Sequence, residues 1–477
     1  MQQNRTAFFT LVSVFFFWGF VAASNDILIP VFKEKLNLTQ GQSQWISIAF
    51  YVAYTVGSLI YVFLSKLNGG DILNKIGYKN GIALGLCISA AGTLLFYPAA
   101  QTASFGIMIT GLFIVAFGFS LQQTAANPLA INMGDPSKGS QRLSLAGGIN
   151  NIGTTIGPLI LSYAIFGHVT GEKKLESVEA VKIPYLILGA AFLIVALIFK
   201  FSSLPNQIQS TTSSQDSDNP SEAQGSPLRY PQLVLGMLAI FLYVGVEVST
   251  ASNLPEYMKE YAGISTSQAA PYISLFWASL MIGRWTSSAG AFNLTGVGKY
   301  LLRILMPFAA FMVFLGANAI AQNDLKPFYI YSAIILILIA ADFLSKGNPA
   351  RQLLIYSFCG IAALLTGMFT TGMVSVYAFI SVGLFCSTLW PCIFTLAIAG
   401  LGRQTNQGSS YLIMMIMGGG LVSKLQGWLG EPSMLGIKAS YIVGVMCFAY
   451  LAFYGFKAAH ILRKQNINFD QQNQAGH

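Results

Sequence analysis

Charge is scarce in this chain. Asp, Glu, Lys and Arg make up 9% of its 477 residues, whereas a water-soluble domain carries about 25%. A soluble enzyme of several domains is thereby excluded, and so is a largely disordered chain. Histidine is scarcer still: His168, His460 and His477 fall at loop edges or in the tail and outline no metal site. The five cysteines (Cys87, Cys359, Cys386, Cys392 and Cys447) all lie inside apolar runs. They form no CxxC pair and no disulfide framework and are expected to pack as small apolar residues. A membrane-bound acyl- or glycosyltransferase would need a catalytic histidine, a metal cluster or a large polar domain. None is visible, so neither enzymatic activity nor a cofactor is expected.

What the chain has is apolar length. Its hydrophobic fraction is 54% and its mean hydropathy +0.60. Apolar windows occur near 7–30, 46–65, 81–100, 105–128, 143–167, 183–202, 231–254, 269–291, 300–321, 327–345, 352–373, 375–400, 407–429 and 438–458. A membrane-crossing helix needs about 20 apolar residues. Free backbone groups find no partner in hydrocarbon, so each run is expected to be helical, and runs without alternation exclude a β-barrel. The fold class is therefore all-α integral membrane, with about fourteen transmembrane helices. The first window, followed by "AAS", also resembles a signal peptide. It continues past Asp26 to Pro30 and is read as the first membrane helix.

The net charge of +9 invites a nucleic-acid reading, but the basic residues are scattered singly and form no stripe. They fit a topology code instead. Alternate connections hold Lys66, Lys75, Lys79, Lys138, Arg142, Arg229, Lys299, Arg303, Lys346, Arg351 and Arg403, whereas the others are balanced, as in Lys33, Glu34 and Lys35. The basic bias places both termini in the cytoplasm. Residues 203–228, with "TTSSQDSDNPSEAQGS", read as a flexible cytoplasmic linker. It separates an N-terminal six-helix bundle (1–202) from a C-terminal bundle (229–477). Pro128, expected to end the fourth span, and Pro391, expected to break the stretch 375–400, are each followed by glycines in the next span: Gly153, then Gly418, Gly419 and Gly420. Two related halves around a midplane site are the plan of an alternating-access transporter.

A charge at the bilayer centre costs about 2.5–3.5 kcal/mol on insertion scales, so intramembrane polar residues mark candidate sites. Asp26, beside Asn25 in the first span, and Glu247 in "YVGVEVSTASN", with Thr250 one turn on, are the candidate cation-coupling carboxylates. Gln122, Gln123 and Asn127 in "SLQQTAANP", Asn150 and Asn151 in "GGINNIG", and Asn253 are the candidate substrate-binding amides. Amides offer both donors and acceptors, as sugar hydroxyls require. The bland reading of each is helix–helix hydrogen bonding. Trp18, Trp277 and Trp390 have rings that can stack on a sugar, or simply pack. Arg284 and Lys424 lie near span ends, where long cations snorkel, and Asp342 is expected to reach the interface.

With these residues assembled, the chain resembles the major facilitator superfamily, and within it the fucose permease and glucose/galactose transporter group. "GDILNKIGYK" (Gly70, Lys75, Gly77, Lys79) resembles the superfamily's loop between its second and third helices, with Asn74 where an Asp is usual. "WGF…NDILIP", "TAANP", "RLSLAGGINNIG" (from Arg142), "YVGVEVS", "IGR" (Arg284), "WPCIFTLAIAGLG" and "GSSYLIMMIMGGG" match in order. The resemblance implies cation-coupled (H⁺ or Na⁺) symport of a monosaccharide such as glucose, galactose, fucose or an amino sugar. Its alternative is a transporter of another organic solute, or a transporter-like nutrient sensor. It implies that Asp26 is the coupling carboxylate and Asn150 a sugar ligand, and that the loop residues, Arg142 and Arg284 serve gating. Gln123 stands where fucose permeases have a Glu, and Gly147 where many relatives have a sugar-contacting Gln. The expected setting is a bacterial cytoplasmic membrane, with a monomer surrounded by lipid, a sugar as partner and no nucleic acid. The stretch of about 300–345 adds two helices to the twelve-helix plan. An epitope tag at residues 322–326 should therefore be reached from outside the cell; a tag reached only from the cytoplasm would remove the inserted hairpin.

Overall fold

The computed structural model describes residues 7–21, 40–166, 182–202, 204, 206, 226–264, 266–292 and 296–469. Asn25 and Asp26, and nearly all of the 203–228 stretch, lie outside them. Helices dominate throughout. In chain order they are α1 (Ala7–Val21), α2 (Gln40–Leu67), α3 (Ile72–Ile76), α4 (Tyr78–Leu94), α5 (Phe96–Gln101), α6 (Phe105–Asn132), α7 (Gly139–Phe166) and α8 (Lys182–Phe201). There follow α9 (Pro231–Tyr261), α10 (Thr266–Ser288), α11 (Val297–Ile320), α12 (Tyr331–Ser345), α13 (Pro349–Phe369), α14 (Gly372–Cys386) and α15 (Leu389–Ile398). The last are α16 (Thr405–Met414), α17 (Gly418–Leu429), α18 (Ile437–Ser440) and α19 (Ile442–Lys464).

Among the described residues, 11 helical segments are long and apolar enough to cross a membrane, and Ala7–Val21 is a shorter apolar helix. Adding α7 and α10 gives every window read from the sequence a helix. Large apolar side chains such as Phe63, Ile187, Met312, Phe369 and Phe456 are exposed, as expected of a surface bathed in lipid tails rather than water.

The chain divides into two compact units. The first comprises residues 1–133, 152–229 and 401–417; the second comprises 134–151, 230–400 and 418–477. Two of the changes of allegiance fall within membrane-length stretches, at Asn151/Ile152 inside α7 and at Met417/Gly418 between α16 and α17.

In the first unit, α4 packs on α6 and α8, and α2 on α6. The α4–α6 seam is made by glycines that bring backbones together. A Cβ on Gly85 would lie 2.8 Å from the Gly118 carbonyl oxygen, and one on Gly92 2.7 Å from that of Gly111. Lipid supplies no hydrophobic drive between helices, so such close approach is what holds them. Pro128 does not end the fourth span, because α6 continues to Asn132; the ring removes one backbone bond, and neighbouring helices re-satisfy the freed groups.

In the second unit, α9 packs on α17, α19 and α15, and α13 on α19, α14 and α15. The additional pair, α11 and α12, packs on α10 and α13 respectively. Asn348 opens α13, its Oδ1 accepting from the N–H groups of Ala350 (2.9 Å) and Arg351 (3.1 Å), ahead of Pro349 at the first helical position. Asp342 does not reach the interface. It is 1% exposed, and its Oδ2 lies 2.8 Å from Nη2 of Arg303, itself 8% exposed. Gln352 Nε2 reaches Asp342 Oδ1 at 3.4 Å, and the guanidinium sits 5.0 Å from the Phe343 ring centre. This ion pair staples α11 to α12, and Gln352 ties it to α13.

Removing one partner of such a pair strands the other charge, at a cost of about 3–5 kcal/mol, whereas replacing both with apolar groups is often neutral or better. Arg303→Ala or Asp342→Ala should each lower the thermal midpoint of the detergent-solubilised protein sharply. The double change Arg303→Met with Asp342→Leu should restore most of it; a double variant as unstable as the singles would deny the staple.

Candidate functional site

The first unit holds the polar residues of α1 and α6. Trp18, 5% exposed on α1, donates from Nε1 to Gln122 Oε1 at 2.7 Å, and Gln122 Nε2 donates to Ser89 Oγ at 3.0 Å. The Trp18 ring is thus a hydrogen-bonding strut between α1 and α6, and both ends of the Gln122 amide are engaged. Gln123, the next residue round the helix, donates to the Tyr54 hydroxyl at 2.9 Å. Asn127 is buried, and its Nδ2 has no partner among the described residues. A buried donor left unmet costs about 1–3 kcal/mol, which makes Asn127 the amide of this group with capacity to spare.

The loop before α4 is built around Asp71. Its Oδ1 accepts from the Tyr61 hydroxyl (2.6 Å), the Leu73 N–H (2.9 Å), the Asn74 N–H (3.3 Å) and Asn406 Nδ2 (3.3 Å). Burial pushes the Asp71 carboxyl up, and the bonds from Tyr61, Asn406 and the two amides oppose that rise. Asn74 accepts from Asn406 at 3.0 Å and donates to the Arg403 carbonyl at 3.3 Å. The Asp usual at position 74 could not make the second bond when ionised, so the amide suits this neighbour. Tyr78 also donates to Asn406. Gly77 has φ +87°, where a side chain is strained, and lies against the Asn206 side chain. Lys75 bonds the Asn68 carbonyl, and Lys79 that of Ser202 at 3.1 Å. Near Gly70, a Cβ would meet only the Lys75 side chain.

In the second unit, polar groups gather around Arg284 of α10. It does not snorkel. Nε donates to the Ser387 carbonyl at 2.9 Å, Nη1 to Asn151 Oδ1 at 2.9 Å and to the Gly147 carbonyl at 3.5 Å, and Nη2 to the Tyr243 hydroxyl at 3.4 Å. The Ser387 oxygen is available for a reason legible in the chain. The residue four positions on is Pro391, which has no N–H to give, and the helix breaks between α14 and α15. Glu247 lies one turn after Tyr243 on α9. Its Oε2 is shielded from solvent and has no hydrogen-bond partner among the described residues. The groups acting on its carboxylate are the Arg284 charge and the Tyr243 hydroxyl, and the Cys386 thiol lies within its field.

The other residues singled out in this unit differ in their surroundings. Asn151 is held by Arg284, while Asn150 is half-buried beside it. Asn253 turns back onto its own helix, donating to the Ser249 carbonyl at 2.8 Å. Trp390 is half-buried with its ring 6.2 Å from that of Tyr243, and Trp277 packs edge-on against Phe276 at 5.5 Å. Arg142 is 2% exposed, with Asp135 as its electrostatic partner. Lys424 is exposed on α17. Sequence reading missed Ser89, Tyr54, Tyr243, Ser387 and Asn406 as partners. Two of these had a signal: Tyr243 precedes Glu247 by one helical turn, and Pro391 marks the carbonyl of Ser387.

Comparison with known proteins agrees with this architecture. Residues 7–345 match the Major Facilitator Superfamily. The chain is 33% identical to the glucose/galactose transporter of Brucella abortus over 94% of its own length and 92% of the relative's. It is 29% identical to the L-fucose-proton symporter of Escherichia coli, over 93% and 91%. A crystal structure of the E. coli fucose:proton symporter superposes with a TM-score of 0.71 at 26% identity, covering 96% of this chain and 99% of that one. The helices, their order and the matches over nearly the full length agree: the chain is a multi-pass membrane protein that belongs to the major facilitator superfamily, a family of transporters and not of enzymes.

Proposed function

We propose that the protein imports a monosaccharide, a hexose such as glucose or galactose, or fucose or an amino sugar, together with a cation. The setting is a bacterial cytoplasmic membrane with both termini inside. The carrying observation is the Glu247 carboxylate: one of its oxygens is buried and unmet, in a span where an idle charge is costly. Such a group gains stability by taking up H⁺ or Na⁺, and loading it lowers the cost of closing the protein around it. The coupling ion is the one non-protein species this reading needs besides the sugar.

Sugar hydroxyls are assigned, each unit taken by itself, to the amides of Gln123 and Asn127 in the first, and to Asn150 and groups of α9 in the second, with Trp390 there as a ring to stack on. Unmet Asn127 and half-buried Asn150 support this assignment. The relatives described as glucose/galactose transporters and fucose symporters support the substrate class. Asp26, matched by sequence to the family's first-helix carboxylate, joins Glu247 in the coupling role.

Counterflow of radiolabelled sugars into proteoliposomes, with pH and Na⁺ varied separately, tests the reading. One or more neutral sugars should exchange, and an imposed H⁺ or Na⁺ gradient should drive accumulation. Asp26→Asn should abolish accumulation while exchange of sugar persists. Exchange of no monosaccharide by the wild type would end the proposal, and undiminished gradient-driven uptake by the variant would remove Asp26 from it.

A further inference from the structure

Basic residues that are scattered singly along the sequence are gathered by the fold. We propose that the starts of α7 and α11 and the end of α12, all in the second unit, form a binding site for the headgroup of an anionic phospholipid, with Lys138, Lys299 and Lys346 meeting its phosphodiester. The inference needs neither the sugar nor the coupling ion assigned above.

Geometry brings the three lysines to one place. Gln141, one turn after Lys138 on α7, is buried and seated between two turns of the chain. A Cβ on Gly290, after α10, would lie 2.5 Å from its amide, and one on Gly347, after α12, 2.6 Å from its Nε2. Lys346 adjoins Gly347, and the two end α12 with φ of +51° and +72°, a left-handed turn of the kind that closes helices. The turn at residues 289–291 packs on α11, whose first turn carries Lys299. Lys299 accordingly lies in the field of Lys138 and of Arg303. Residues 134–151, 296–303 and 341–351 together hold six basic side chains (Lys138, Arg142, Lys299, Arg303, Lys346 and Arg351) and two acidic ones. Of the acids, Asp342 is paired with Arg303, and Asp135 accepts from the N–H and hydroxyl of Ser137 at 2.9 Å and 2.7 Å. Positive charge is in excess.

The start of α11 adds to the attraction. Gly296, at its N-cap, gives no side-chain bond to the first N–H groups, which carry the partial positive charge of a helix start. A Cβ on Gly298 would meet nothing within 4 Å, so a headgroup has room there. Charge alone would suit any anion. What selects a lipid is the apolar collar beside it. Val297, Leu301 and Leu344 are exposed, and exposed Tyr300 stacks on Phe343 with ring centres 6.0 Å apart. Lysines at the end of lipid-facing helices, with a tyrosine at their level, match a headgroup above its acyl chains. This is also the end assigned to the cytoplasm, whose leaflet carries the anionic lipids. A topology code accounts for the sign of these residues and not for their gathering around the additional helix pair.

Native mass spectrometry of the detergent-solubilised full chain, titrated with phosphatidylglycerol and with phosphatidylcholine, tests the site. The wild type should hold phosphatidylglycerol about a hundredfold more tightly than the triple variant Lys138→Gln, Lys299→Gln, Lys346→Gln, at about fivefold for each lysine near a membrane surface. Phosphatidylcholine should bind both weakly and alike. A control, Lys66→Gln, Lys200→Gln, Lys457→Gln, removes equal charge from exposed positions elsewhere and should keep the wild-type affinity. Gly298→Asp puts a negative charge at the helix start, which favours the helix yet should weaken phosphatidylglycerol binding severalfold. It carries the test if the triple variant does not fold. Inorganic phosphate separates the two sources of the anion. Failure of millimolar phosphate to displace the lipid supports a headgroup site, and displacement would make the ligand a soluble anion and overturn the lipid assignment. Equal losses in the two triple variants, or no preference for phosphatidylglycerol over phosphatidylcholine, would reduce the cluster to general surface charge and overturn the site.

Discussion

Hydrocarbon offers no hydrogen bonds, and every polar decision in this protein follows from that. Backbone groups are satisfied by helices, and side-chain polar groups must find one another. Trp18 therefore meets Gln122, which meets Ser89, and Gln123 meets Tyr54. Against this background of paired groups, the unmet ones carry information. Asn127 and Glu247 keep unpartnered polar atoms in buried positions, as do Thr250 on α9 and Gln426 on α17. Such groups are candidates for a water, an ion or a solute hydroxyl.

The same constraint governs how helices meet. Without a hydrophobic drive between them, contact depends on small residues that admit a neighbour closely. Gly85, Gly92, Gly111 and Gly118 serve α4 and α6 in this way. Gly153 and Gly157 serve the second half of α7 against the backbone of α1, where a Cβ would lie 2.3 Å and 3.0 Å from the carbonyl oxygens of Phe16 and Phe20. The first half of α7 uses Gly147 and Gly148 differently, to admit an arginine and a tryptophan. One helix thus carries two kinds of glycine contact, dry backbone packing after residue 151 and hydrogen-bonded seating before it.

Much of the fold was legible because length and hydropathy decide it. Over its described residues each apolar window holds a helix, and the pair between α10 and α13 was foreseeable from uninterrupted apolar runs. Partnering was less legible, since it depends on the angle at which each helix faces its neighbours. Asp342 looked like an interfacial carboxylate from its place near the end of a window, yet Arg303, 39 positions earlier, reaches it. Gln122 and Gln123 looked equivalent in sequence, but face different helices. Pro128 looked like a terminator, because sequence cannot show whether neighbours will satisfy the carbonyls a proline frees. Pro391, by contrast, follows a real break, and its missing N–H is used. The carbonyl it orphans became an anchor for Arg284.

Two arginines in successive helices of the second unit show how the same group serves opposite ends. Arg303 contacts its carboxylate directly, at 2.8 Å, with both residues nearly inaccessible. Neither charge can change without stranding the other, so the pair is a fixed staple for α11 and α12. Arg284 makes its hydrogen bonds to neutral acceptors, two backbone carbonyls, an amide and a phenol. Glu247 is a further charge in its surroundings, and the Tyr243 hydroxyl is beside both. Among the described residues no ion pair joins Arg284 to Glu247, in contrast to the direct contact of Arg303 with Asp342.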